Sequence, residues 1–539
     1  MTFWNVLLIG SMAASCVLSA RLLIHYFQLE SYQFQGFFRS VKRNLLRTLW
    51  PGLVLNIVFI AAGALLILVI PDNNIWLPDL ALSICLLAAG WLIHRALKKS
   101  RQKKPLVYTS RVKRLTAFMF VTFFLLFMGF ALAAGNEKGE LFSRFFFALV
   151  LLFPALLPVW TTISGLIAWP VENGIKNLYF RDARKRLQER PDLIKIGITG
   201  SWGKTSVKFI LGTILQEKYN TLITPSSYNT PMGVTKVVRS QLTPAHHIFV
   251  AEMGARHVGE IRELCNLVQP SIGILTSVGP QHLDTFRTLE RIIQTKYELI
   301  EAIPEDGLCF FADDGDICRD LYQKTKKEKV LAGLNAAFDE VWAENIKAGP
   351  EGSRFDLCFG ERKIACRTLL LGELNIKNIV LCASVGLKLG LTDDQIRRGI
   401  EKIKPIEHRL QLIHYPGRYT VIDDAFNSNI VGAEQAFRTL RDFSGRRIVI
   451  TPGMVELGNR EVEMNTQFGR LMAGNCDLAI LIGKKRSEAI QKGLIEEGFD
   501  ADHILVLNSL DEAGQWIAGN ADTHDVILFE NDLPDHYNE

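Results

Sequence analysis

A chain of 539 residues, 48 % apolar and 22 % charged, is too long for one core and too apolar to be disordered. Its net charge of +5 is small, and the basic residues flank apolar runs, which turns the reading away from nucleic acid and toward membrane orientation. Nine cysteines, odd in number and without a C-x-x-C pair, argue against a disulfide framework or zinc site and fit a reducing cytosol.

Five apolar runs come first, at roughly 3–20, 50–71, 76–96, 115–134 and 144–169. Each approaches the ~20 residues that cross a bilayer. The first has no basic n-region and four more follow, so it reads as a span, not a signal peptide. Three connecting segments are basic. One holds Arg21, Arg39, Lys42, Arg43 and Arg47, the next spans 98–114, and the last runs from Lys176 to Arg190. The segments between them lean acidic, with Asp72, Glu137 and Glu140. This alternation predicts a multi-pass protein of the cell membrane, with its N-terminus outside and residues 170–539 in the cytoplasm. The basic 98–114 segment would meet anionic membrane lipids. The competing reading makes one or two runs buried helices of a soluble domain.

Next, Lys195-Ile-Gly-Ile-Thr199 reads as a buried strand, followed by Gly200-Ser201-Trp202-Gly203-Lys204-Thr205-Ser206 and an apolar stripe of Val207, Ile210, Leu211, Ile214 and Leu215. Strand, glycine loop and helix are the context of a phosphate loop. Glycines let backbone N–H groups approach phosphate oxygens, and the helix N-terminus adds partial positive charge. Lys204 would reach the terminal phosphates and the Thr205 hydroxyl would bind Mg2+. The general pattern asks for glycine at 198, where this chain has Ile198.

The loop T-G-S-W-G-K-T-S resembles that of the Mur ligases, and further segments resembling the family follow in order. They are Ser227–Gly233, Phe249–Ile261, Ile274–Asp284, Thr295–Leu299, Gly372–Asn378, Arg409 with Val421–Asn429, and Gly453–Gly458. The resemblance implies an ATP- and Mg2+-dependent ligase that phosphorylates a carboxylic acid and lets an amine attack the acyl phosphate. It implies that Gly200, Ser201, Gly203, Lys204, Thr205 and Ser206 hold the nucleotide. Arg409, Asp424 and Asn427 would join them once a C-terminal domain closes, with Glu456 a weaker candidate. Thr205, Glu252, His282 and Lys296 would serve the metal, Lys296 as a carbamate. Lys204, Lys296 and His282 would be catalytic. The plain alternatives are a solvated loop carboxylate for Glu252, a structural His282 and a surface Lys296, with Glu298 a helix-surface partner. Some positions depart from the family: Phe311, Leu374, Ala425 and the pair Glu530-Asn531 stand where it has asparagine, histidine, serine and a basic-glycine pair.

The expected fold is an α-helical membrane domain (1–175), then α/β: a phosphate-loop domain with a mostly parallel sheet (176–405) and a doubly wound, Rossmann-like domain (406–539). Residues 320–370 read as an irregular, β-leaning insertion. Strands are expected at 419–422, 448–451, 478–482, 504–507 and 526–529. The acid would be lipid-linked or another cell-envelope precursor, the amine an amino acid or dipeptide. The helices would bind that acid or only tether the enzyme. Competing readings are a polyglutamate-type synthetase, a membrane ATPase and a non-catalytic scaffold; hydrolysis without an amine would favour the ATPase, and absent nucleotide binding the scaffold.

Overall fold

The computed structural model describes residues 3–30, 32–69, 77–99, 105–134, 156–226, 228–281, 283–415, 418–426, 429–455, 457 and 460–532. The chain separates into two compact units, Met1–Asn177 and Leu178–Leu533.

The first unit is helical: α1 (Phe3–Ser19), α2 (Arg21–Leu29), α3 (Phe34–Arg43), α4 (Leu45–Val69), α5 (Leu77–Lys99), α6 (Ser110–Ala134) and the start of α7 (Leu157–Gln188). Leu45–Ala62 of α4, together with α5 and α6, are long and apolar enough to cross a membrane; α1 and α2 pass the same test only as a pair, bent by 47° at their junction. Leu53, Ile57, Trp91, Leu92, Val121 and Leu125 point outward, as spans in contact with lipid would require. Phe27, Phe37, Val112 and Phe123 fill the interior. α1 and α5 lie side by side in the same direction. Asn5 Nδ2 donates to Asp79 at 3.0 Å near their starts, and further along a Cβ on Gly90 would come within 2.9 Å of the Ser15 backbone. Small residues permit that approach. Residues 21–43, read from sequence as a basic loop, are helices, because Phe27, Phe34 and Phe37 cluster as a packed aromatic face. Of the fifth apolar run, 144–155 lies outside the described residues and the rest is in α7.

The second unit holds two sheets. The strands of the first are β1 (Ile194–Thr199), β2 (Thr221–Ile223), β3 (Ile248–Glu252), β4 (Ile272–Leu275), β5 (Leu308–Ala312), β6 (Glu328–Gly333), β7 (Val341–Gly349), β8 (Gly352–Phe359) and β9 (Arg362–Thr368). They lie in the order β2-β3-β1-β4-β5-β6-β7-β8-β9. Pairing is parallel from β2 to β7 and antiparallel beyond. The central strands are apolar on both faces, as a covered parallel sheet requires. Ile248 and Val250 face a core shared with the helices Lys204–Leu215 and Glu373–Lys388. Phe249 and Ala251 face the opposite core, against Val234, Leu264 and Leu299. The segment expected to be an irregular insertion is instead helix Ile317–Lys324 and strands β6 to β9, since alternating Phe355, Leu357, Ile364 and Cys366 extend the same core.

The second sheet comprises β10 (Gln411–His414), β11 (Thr420–Asp424), β12 (Arg446–Thr451), β13 (Leu478–Ile482), β14 (Ile504–Leu507) and β15 (Asp525–Glu530). Their order is β10-β11-β15-β12-β13-β14, parallel except for β10 at the edge. Sequence reading missed β10; its partly exposed residues carry only a weak apolar signal. All nine cysteines are free thiols and only Cys85 is exposed.

Candidate active site

The ends of β1 and β3 meet at the centre of the first sheet, where crossover loops open a crevice. β1 runs into Gly200, where a Cβ would overlap the Thr276 hydroxyl. Gly203 has φ +81°, left-handed geometry that favours glycine, and starts the helix Lys204–Leu215. The segment after β4 anchors the loop between them. Ser201 N–H donates to the Ser277 carbonyl at 2.9 Å. Trp202 N–H donates to Ser277 Oγ at 2.8 Å, and the Trp202 carbonyl accepts from Thr276 Oγ1 at 2.5 Å. The Trp202 ring covers Gly279, where any Cβ would overlap it. With the Ser201 and Trp202 amides engaged, anion binding falls to the first N–H groups of the helix, beginning at Gly203 and Lys204.

Lys204 Nζ folds back over the loop, donating to the Gly200 carbonyl at 2.7 Å and the Ser201 carbonyl at 2.9 Å. Burial pushes its ammonium down to about 8; Glu252 opposes the shift and Arg409 adds to it. One residue on, Thr205 Oγ1 lies 3.2 and 3.1 Å from the two Glu252 oxygens.

Glu252, at the end of β3, is 1 % exposed. Asn229 Nδ2 donates to it at 3.0 Å. So does Lys208 Nζ, at 2.9 Å, from a side chain with no exposure. Lys208 also donates to the carbonyl of Ser226, whose φ of +43° is unusual for a non-glycine residue. Lys208 was not foreseen from sequence. The available signal was a lysine one turn after Lys204, inside the buried stripe of Val207 and Leu211.

Lys296, in the helix Leu289–Ala302, is 4 % exposed. Burial holds its amine well below the usual lysine range; Lys204 adds to the depression, while Glu260 and Glu298 oppose it. The surface reading of Lys296 is therefore set aside. Glu298 is also buried and accepts from the backbone N–H groups of Gly259 at 3.0 Å and Arg262 at 2.9 Å. It caps the helix Glu260–Val268 and is no helix-surface partner.

Arg409 approaches from the second sheet and lies within electrostatic reach of Asp424, Glu252 and Glu530. Its guanidinium stacks 4.2 Å from the Phe426 ring. His408 and Leu410 on either side have φ of +58° and +47°, a bulky Leu being an outlier there. Asp424 Oδ1 accepts the Leu410 N–H at 3.1 Å. Burial pushes the Asp424 carboxyl up to about 6, against Arg409, the Leu410 amide and a hydrogen bond with buried Glu530. Asp423 is occupied elsewhere, by His408 at 2.8 Å and the Ala425 N–H at 3.0 Å. Phe311 is fully buried, edge-to-face with Tyr322, so it offers no polar edge to a base.

Gly200, Ser201, Gly203, Lys204, Thr205, Ser206, Glu252, Lys296, Arg409 and Asp424 thus line or adjoin one region. His282, Asn427 and Glu456 lie outside the described residues. Among the described residues, no three His, Cys, Asp or Glu side chains form a metal-binding group. Among the described residues, Thr205 and Glu252 bring side-chain oxygens together here.

Residues 198–386 match the Mur ligase middle domain and residues 408–530 the Mur ligase glutamate ligase domain. UDP-N-acetylmuramoyl-tripeptide–D-alanyl-D-alanine ligase of Escherichia coli is 28 % identical over 329 residues, 59 % of this chain and 73 % of that protein. The MurF crystal structure from Acinetobacter baumannii shares the fold with TM-score 0.60 at 24 % identity, over 66 % of this chain and 77 % of the other. MurF ligase from Thermotoga maritima, in complex with ADP, aligns with TM-score 0.59 at 22 % identity, covering 66 % and 80 %. Both family matches begin after the helical unit, which differs from the UDP-binding domain usual at that place. With more than half its length matched by these two domains, the chain belongs to the Mur ligase family, whose enzymes are ligases that form amide bonds using ATP and Mg2+.

Proposed function

We propose that this chain joins an amino acid or dipeptide amine to a carboxyl group of a peptidoglycan or other cell-envelope precursor, at the cytoplasmic face of the cell membrane. The observation that carries the reading is the gathering of Lys204, Thr205, Glu252, Lys296 and Arg409 beside one helix N-terminus. The name of the Escherichia coli relative favours a dipeptide amine.

The donors fit ATP and Mg2+. Thr205 and Glu252 offer the hard oxygens that Mg2+ prefers, and the helix amides suit phosphate. Bound ATP and Mg2+ supply the phosphoryl group that makes the acid electrophilic and the charge that steadies its transfer. Lys204, which donates to the loop carbonyls in this structure, would hold the terminal phosphate. Glu252, held by Lys208 and Asn229, would offer an oxygen to the cation, and His282 would serve a second one. Lys296, with its amine depressed, is suited to add to carbon dioxide, forming an N–C bond and releasing one proton to solvent; the resulting carbamate is an anionic ligand. Arg409, Asp424 and Asn427 would contact the nucleotide from the C-terminal domain and help keep water from the activated acid.

Membrane placement is supported by the outward-facing apolar helices and by the parallel course of α1 and α5, which brings the ends bearing Arg21 and Lys98 to one side. With the helices in place of the UDP-binding domain, the acid is lipid-linked or the helices tether the enzyme beside its substrate. Mass spectrometry of membrane lipids and cell-wall precursors, with and without the protein, tests this. Loss of one amide-linked residue, reproduced by Lys204→Ala, is expected. Unchanged precursors in that variant refute catalysis.

A further inference from the structure

Arg21 opens α2 and is 8 % exposed, yet among the described residues its one hydrogen bond is donated to the Tyr108 hydroxyl, at 3.4 Å. Other arginines of the same unit are neutralised: Arg114 grips Glu172 through two hydrogen bonds, of 2.5 and 2.9 Å, and Arg111 lies 3.5 Å from the same carboxylate. Among the described residues, no carboxylate does this for Arg21. A guanidinium with five donors is not left buried and uncompensated without cost. Two further polar atoms lie buried without a partner here, Ser19 Oγ and His94 Nδ1. His94 faces Arg21 and the Leu18 backbone, which follows from the parallel α1–α5 contact: Ser19 and His94 each lie one turn past Ser15 and Gly90.

Depth points to the ligand. At 1.5 Å per residue, Arg21 lies roughly 27 Å along the helices from Phe3, close to the ~30 Å of bilayer hydrocarbon. That is the level of lipid head groups, at the end carrying the basic segments. Planar guanidinium, hydroxyl and imidazole groups together suit a tetrahedral oxyanion. Tyr108 is 45 % exposed, so the route in passes its ring. Gln28 fixes the segment bearing Tyr108 through paired hydrogen bonds with Val107, of 2.7 and 3.0 Å.

We propose that Ser19, Arg21, His94 and Tyr108 bind the phosphate of a membrane lipid head group. This rests on the membrane placement proposed above, and it gives the helices a binding role beyond tethering.

The full chain in phosphatidylcholine nanodiscs, with and without a long-chain alkyl phosphate, tests the proposal by native mass spectrometry and lipid titration. The wild type is expected to retain the alkyl phosphate. Arg21→Gln should weaken retention about tenfold or more, as expected for loss of charge-assisted hydrogen bonds. Tyr108→Phe, an exposed change that leaves the bundle intact, should weaken it a fewfold. ATP binding by both variants, expected to be unchanged, serves as the folding control. Equal retention by wild type and both variants overturns the proposal. So does Arg21-dependent binding of soluble pyrophosphate that displaces the lipid, which would make free phosphate the ligand. Extraction of the protein by alkaline carbonate without detergent would instead overturn the membrane placement itself.

Discussion

Replacing Lys208 with Met removes the cation paired with Glu252. Both side chains are essentially without exposure, 0 % and 1 %, so the carboxylate would keep its desolvation while losing its counter-charge. Removing one partner of a buried pair costs about 3–5 kcal/mol. Thr205 and Asn229 still donate to Glu252, which puts the expected cost near the lower end, about 3 kcal/mol. At about 2–4 °C per kcal/mol this lowers the unfolding midpoint by about 6–12 °C, measured by thermal unfolding of the full chain in detergent. Glu252→Gln should cost a similar amount, since it strands the ammonium. The double variant buries neither charge and should regain about 2 kcal/mol or more relative to the sum of the singles. Additive costs, agreeing within about 0.5 kcal/mol, would refute the reasoning, because independent sites add and a coupled pair does not.

Gly279→Ala should push Trp202 off its seat and loosen the loop that Trp202 anchors to Ser277; overpacking of this kind costs about 1–3 kcal/mol, read as weaker binding of a fluorescent ATP analogue. Nucleotide affinity should fall as pH rises through about 8, where Lys204 loses its proton, by up to about tenfold per pH unit; a flat titration from pH 7 to 9 would contradict this. The Asp424 carboxyl is raised to about 6 from an ordinary value near 3.8. The folded state therefore binds the extra proton between those values, and the stability this contributes, full at lower pH, is lost as pH rises through about 6. Denaturation midpoints across pH 4–7 should show that loss in the wild type and not in Asp424→Asn.

The phosphate loop and both sheets were legible because their signals are local: a glycine loop between a buried strand and an apolar helix, and short apolar strands alternating with helices. Lys208 escaped because a lysine on a helix ordinarily reads as solvent-facing, and only the fold brings Glu252, 44 residues away in sequence, to meet it. The β6–β9 stretch read as irregular because antiparallel edge strands interleave charged residues such as Arg362, Lys363 and Arg367 with the buried set. Glu298 looked like surface for a similar reason. Its role as a cap depends on a helix that precedes it in the chain and packs across it. The helices of residues 21–43 were hidden by their arginines, which drew attention to charge and away from the aromatic face.

The shared direction of α1 and α5 constrains how the protein tolerates change at its beginning. Two neighbours that travel the same way require the chain between them to return, and α4 makes that return. Clipping α1 would strip the cover from Gly90 and Leu86 on α5 and leave α4 and α5 as a simple antiparallel hairpin, with an apolar furrow where α1 had lain. The first helix is thus a structural member of the bundle, packed where Ser15 meets Gly90.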